Sequence, residues 1–137
     1  MWQIYALLAA VFAAMTAIFA KLGVQSINAS LATAIRTLFI LFLVWGIALL
    51  NGSLRDLRSL PLSAWLFLFL SAMTTGLSWF FYFKALQVGD VSKVAPVDKL
   101  SVPLAVLFAF LFLGENISWQ VILGASLVTA GTLVLLL

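Results

Sequence analysis

Neither cysteine nor histidine occurs in this chain of 137 residues, and only 8% of its residues carry a charge. The first absence removes disulfides, haem attachment, iron–sulfur clusters and ordinary zinc sites, so no cofactor or metal is expected. It also removes the usual nucleophile and base pairs, and no two carboxylates share an apolar run, so nothing suggests an enzyme. The scarcity of charge removes a water-soluble surface. A soluble domain carries ~25% charged residues, about three times the share found here. The seven basic residues form neither a patch nor a run, so the net charge of +3 gives no reason to expect a nucleic-acid partner.

Apolar length is what the sequence has in abundance: 66% of residues are hydrophobic and the mean hydropathy is +1.27. A hydrocarbon core of ~30 Å takes roughly 20 helical residues to cross. Runs of that length predict spans at about Trp2–Val24, Ser30–Leu50, Leu62–Val88, Ser92–Gly114 and Ser118–Leu137. The expected fold is therefore all-α, a polytopic bundle of five transmembrane helices forming one domain over residues 2–137. The first span has no basic segment ahead of it and is followed by further spans, so it is expected to be a retained helix rather than a signal peptide. The longest connector is Asn51–Pro61, and function must lie within the bilayer.

Local signals agree with these limits. Asn28 and Ser30, Pro61 and Ser63, and Asn116 and Ser118 open the second, third and fifth spans, and Asn51-Gly52 closes the second. Alternating the spans places Trp2, Trp45, Trp65 and Trp119 on one side, so four of the five tryptophans form one interfacial belt. Orientation is less decided. Arg55 and Arg58 face one side and Lys21, Lys84 and Lys93 the other, a near balance of basic charge. Two readings stand: insertion in both orientations, or one fixed topology with lysines snorkelling or buried.

Ionisable residues inside a membrane are costly and mark functional candidates. Arg36 lies about two turns into the second span and Asp98-Lys99 about two turns into the fourth, with Lys84 and Lys21 about a turn from the ends of theirs. Alternation gathers all five near one side, where Arg36 and Asp98 are at matched depth and able to pair. In the third span Ser71, Thr75, Ser78 and Tyr82 recur every three or four residues and draw a polar stripe beside Trp79 and Gly76. The stripe is either a pathway lining or ordinary helix–helix hydrogen bonding. Pro96 and Pro103 flank Asp98-Lys99 and predict a kink or break there. In the fifth span Gly124 and Gly131 share a face suited to close helix approach, within the chain or against a second copy.

Three stretches stand out: Ser78-Trp79-Phe80-Phe81-Tyr82-Phe83-Lys84-Ala85-Leu86-Gln87, Val94-Ala95-Pro96-Val97-Asp98-Lys99-Leu100-Ser101 and Leu111-Phe112-Leu113-Gly114-Glu115. They resemble a single EamA-type repeat of the drug/metabolite transporter superfamily in its five-span, half-size form. The Gly124 to Gly131 run, Lys21-Leu22-Gly23 and Ala32-Thr33-Ala34-Ile35-Arg36-Thr37 join them, so the resemblance covers nearly the whole chain. It implies a multi-pass protein of a bacterial or archaeal cell membrane that moves a small-molecule substrate. Larger members carry two repeats with the second inverted, so a single repeat is expected to work as an antiparallel, dual-topology homodimer. The related small multidrug resistance proteins carry an acid in the middle of their first helix. Here Trp2–Val24 carries only Lys21, which weighs against a proton-coupled drug exporter.

The functional expectation is a secondary transporter exporting an amino acid or other anionic or zwitterionic solute. Arg36, Lys99, Lys84 and Lys21 with Asp98, Tyr82 and Trp79 form the expected substrate site. Ser71, Thr75 and Ser78 are expected to line the pathway, and Gly124 and Gly131 the dimer interface. The alternative is an accessory membrane subunit pairing with another repeat protein, as in the flipping of a lipid-linked substrate.

Overall fold

A computed structural model describes residues 1–137. The chain is helical throughout: α1 Trp2–Val24, α2 Ala29–Leu50, a 3-10 segment Ser53–Ser59, α3 Leu62–Val88, α4 Val91–Asp98, α5 Ser101–Phe108, a π turn Ala109–Leu113 and α6 Trp119–Leu136. Five helical stretches are long and apolar enough to cross a bilayer: α1, α2, α3, α4 through the π turn (Val91–Leu113), and α6. Their limits fall within a residue of those expected from hydropathy and caps. The chain divides into two compact units, Ala20–Gln87 and the combination of Met1–Phe19 with Val88–Leu137.

In the Ala20–Gln87 unit the turn from α1 to α2 is set by local chemistry. The Asn28 side-chain carbonyl accepts the Ser30 N–H at 2.8 Å, satisfying one of the donors that a helix start leaves without a partner. Ala29 and Ala32 present no more than a methyl group and are buried, as are Val24, Phe83 and Leu86. The bulk of this buried set comes from Phe83 and Leu86, one turn apart on α3. At its other end α2 stops at Asn51, whose N–H reaches the Ile47 and Leu49 carbonyls. Gly52 follows with φ of +70°, a left-handed conformation that a residue without Cβ adopts at little cost. The Pro61 carbonyl then accepts the Ala64 and Trp65 N–H groups at 3.0 and 3.4 Å and opens α3.

In the other unit α4 and α5 both pack on α6. The fourth span is interrupted at Lys99-Leu100, between its two prolines. Pro103 has no N–H for the Lys99 carbonyl, and its ring would crowd that carbonyl in a continuous helix. The backbone tightens instead: the Lys99, Leu100 and Val102 N–H groups bond carbonyls three residues back, at 2.9, 3.0 and 2.9 Å. A new helix starts at Ser101, so Pro103 sits in a first turn, where a missing donor costs little. The Pro96 carbonyl on the edge of the break also accepts the hydroxyl of Thr132 on α6 at 3.4 Å. Thr132 is the buried polar side chain of this unit. The π turn closes on Gly114, with φ of +66°, whose N–H bonds the Ala109 carbonyl.

Candidate substrate-binding site

Three cations of the Ala20–Gln87 unit, Arg36, Lys84 and Lys21, meet residues of the last turns of α3. Arg36 leaves α2 half-buried and lays its guanidinium over the Trp79 ring, 4.2 Å from the ring centre, with the Phe83 ring at 5.4 Å. A cation on the face of an indole gains ~0.5–2 kcal/mol, rising as water is excluded. The stack uses the flat face of the guanidinium. Its N–H edge, the part that grips a carboxylate in two places, is not consumed by the rings. Lys84 stands one turn on, exposed, with Nζ 4.6 Å from the Phe80 ring centre.

Lys21 is placed differently. Its ammonium donates to the Leu86 carbonyl at 2.6 Å, while Gln87 Nε2 donates to the carbonyls of Val24 at 3.0 Å and Ile27 at 2.6 Å. Carbonyls at the ends of α1 and α3 are each capped by a side chain from the other helix. Helix ends leave such carbonyls without internal donors, and inside a bilayer no water replaces them. Lys21 thus has a structural partner that the sequence did not disclose. Gln87, the other half of the clasp, was not among the expected site residues. The signal available was a lone amide at the end of a long apolar helix.

Ser71, Thr75 and Ser78 lie exposed along α3 and lead toward half-buried Tyr82, as their spacing predicts. Thr74, off the stripe, bonds back to the Leu70 and Ser71 carbonyls. Asp98 and Lys99 belong to the other unit, at the break between α4 and α5, where Lys99 Nζ and Asp98 Oδ2 are 3.2 Å apart and both side chains remain accessible. The carboxylate expected as a partner for Arg36 is therefore engaged by its own neighbour, and Arg36 rests on aromatic faces. In the same unit as Asp98 and Lys99, a cavity of about 270 Å³ lined by Ala105, Val106, Ala109 and Glu115 lies at the far end of α5 from the break. On α6 a Cβ added at Gly124 or Gly131 meets no atom within 4 Å. The glycine face is open within the chain.

Bilayer-length helices, cations within the spans and a proline-interrupted span carrying Asp98-Lys99 define an all-α, multi-pass membrane protein. The chain belongs to the EamA-like transporter family, which matches it over residues 1–137, and so to the drug/metabolite transporter superfamily as a single five-helix repeat. It is similar to a protein of Sinorhizobium sp. described as an uncharacterized transporter in the cobO 3' region, at 47% identity over 134 residues, covering 98% of this chain and 95% of that one. No solved structure matches the chain. Membership makes it a secondary transporter of small molecules in a membrane, not an enzyme.

Proposed function

We propose that this chain exports a small anionic or zwitterionic metabolite, such as an amino acid, as an antiparallel homodimer in a bacterial or archaeal cell membrane. The observation that carries the reading is Arg36: a guanidinium within a span, half-buried and balanced by the Trp79 and Phe83 rings, with its hydrogen-bonding edge left for a ligand. A cation in a medium of low dielectric attracts an acidic group strongly, and aromatic support holds the guanidinium in place without neutralising it. In the other unit Lys99 is proposed by itself as a cationic contact for substrate: its bond to Asp98 is accessible, so a substrate carboxylate can exchange with Asp98, whose own carboxylate suits an amino group. Lys84 and Lys21 add to the positive field at the ends of their helices, and Tyr82 with Trp79 presents rings to the organic part of the solute. Ser71, Thr75 and Ser78 continue from this site along α3 as a hydroxyl-lined route.

Two copies are invoked because one repeat covers so little of itself. The central windows of the five spans are between 0% and 11% buried, and the open face at Gly124 and Gly131 suits close approach by a second α6. The same face fits a different repeat protein, which is the heteromeric alternative. Substituting Arg36→Gln and Arg36→Lys tests the site. Intact assembly with transport lost in Arg36→Gln and partly kept in Arg36→Lys is expected of a binding residue. Unchanged transport in Arg36→Gln would overturn the assignment.

A further inference from the structure

The connector between α2 and α3 is not a passive turn. Residues Ser53–Ser59 form a 3-10 helix, in which positions three apart eclipse one another. The sequence has that period: Leu54 and Leu57 on one stripe, Arg55 and Arg58 on the next, Asp56 and Ser59 on the third. The Ser59 hydroxyl donates to the Asp56 carbonyl at 2.8 Å, which shows the period closing on the third stripe. Neighbouring stripes are ~120° apart, and the two arginine Cα atoms are separated by ~6 Å of rise. Both arginines are exposed, and the acidic residue of the segment is on another stripe.

The placement says what covers this surface. The segment adjoins the end of α2, separated from it by Asn51 and Gly52, with Leu54 half-buried and Leu57 40% exposed, so its leucine stripe lies at the end of the hydrocarbon-spanning helix. Trp45 and Trp65, 46% and 51% exposed, stand on either side of it in α2 and α3, at the level where indoles meet headgroups. Leucines directed at acyl chains and two guanidinium groups a third of a turn away match the two halves of a phospholipid, apolar tail and phosphate. We propose that Arg55 and Arg58 form a headgroup site for anionic phospholipid, with the leucine stripe against its acyl chains. A leaflet rich in anionic lipid would then favour copies whose 51–61 connector faces it.

The test uses the full chain in mild detergent, where orientation is no longer a variable. Native mass spectrometry is run with equimolar phosphatidylglycerol and phosphatidylcholine of the same acyl chains. Phosphatidylglycerol adducts should exceed phosphatidylcholine adducts by up to about fivefold per arginine. R55Q/R58Q should bring the ratio close to one, while R55K/R58K keeps most of the preference, and helical content stays unchanged in both. Equal adducts on the natural sequence would overturn the proposal, as would an undiminished preference in R55Q/R58Q. Displacement by inorganic phosphate, beyond that by chloride at equal ionic strength, would reassign the site to a soluble anion. Loss of dimer in R55Q/R58Q with an unchanged lipid ratio would make the surface a protein interface instead.

Discussion

Opening the clasp between α1 and α3 should cost stability without requiring any knowledge of the substrate. Gln87→Leu removes two amide hydrogen bonds, to Val24 and Ile27, while keeping an apolar side chain of similar length. A net ~0.5–1.5 kcal/mol per bond gives ~1–3 kcal/mol. Lys21→Met removes one charge-assisted bond to the Leu86 carbonyl. Such a bond contributes ~1.5–3 kcal/mol in a dry setting, and we expect the lower end because Lys21 is only half-buried and near the interface. The two side chains cap the same pair of helix ends, so the double variant should lose less than the sum of the single ones. The assay is unfolding of the purified chain in mixed micelles, followed by tryptophan fluorescence with rising denaturing detergent. A loss below ~0.5 kcal/mol in both single variants would refute the reasoning, because each variant removes at least one hydrogen bond with a net contribution of ~0.5–1.5 kcal/mol. If Lys21→Met kept full stability but abolished transport, Lys21 would return to the substrate site.

Other consequences concern assembly. Two opposed C-terminal reporters, one active only in the cytoplasm and one only outside, should both give signal. Adding two lysines to the Asn51–Pro61 connector should silence one of them and abolish transport by the homodimer, whereas signal from a single reporter in the natural chain would require a partner repeat. Gly131→Leu should insert and fold normally, since a Cβ at this position meets no atom within 4 Å, yet weaken crosslinked dimers severalfold. Unchanged dimer in that variant would assign the glycine face to lipid.

Much of the fold could be read in the sequence because its determinants are local. The ends of α1, α2 and α3 follow from where apolar runs meet Asn28, Asn51-Gly52 and Pro61, and none needs a distant partner to stop a helix. Pro96 and Pro103 foretold an interruption of the fourth span, since a missing donor is a property of the residue itself. Its position at Lys99-Leu100 follows from Pro103 itself, whereas the capping of the Pro96 carbonyl by Thr132 depends on α6 and was not legible. Likewise the run Leu54-Arg55-Asp56-Leu57-Arg58-Ser59 carries a period of three that a search for bilayer-length helices passes over. Side-chain partnerships were hardest to foresee. Depth along a span says nothing about the neighbour a side chain meets, and the rings of Trp79 and Phe83 on α3 that receive Arg36 were not legible as its partners.

The central claim, that this chain alone moves a carboxylate-bearing solute through a site anchored by Arg36, is tested most directly by counterflow. Purified chain is reconstituted into vesicles loaded in turn with unlabelled amino acids and small organic acids, and accumulation of the matching trace label outside is followed into the vesicles. The account predicts transient accumulation for at least one such solute, with apparent affinity falling about 10- to 150-fold in Arg36→Gln through loss of a charged hydrogen bond, and a smaller fall in Arg36→Lys. Accumulation of lipophilic cations only, or accumulation of an acid with the same affinity in Arg36→Gln, would contradict it.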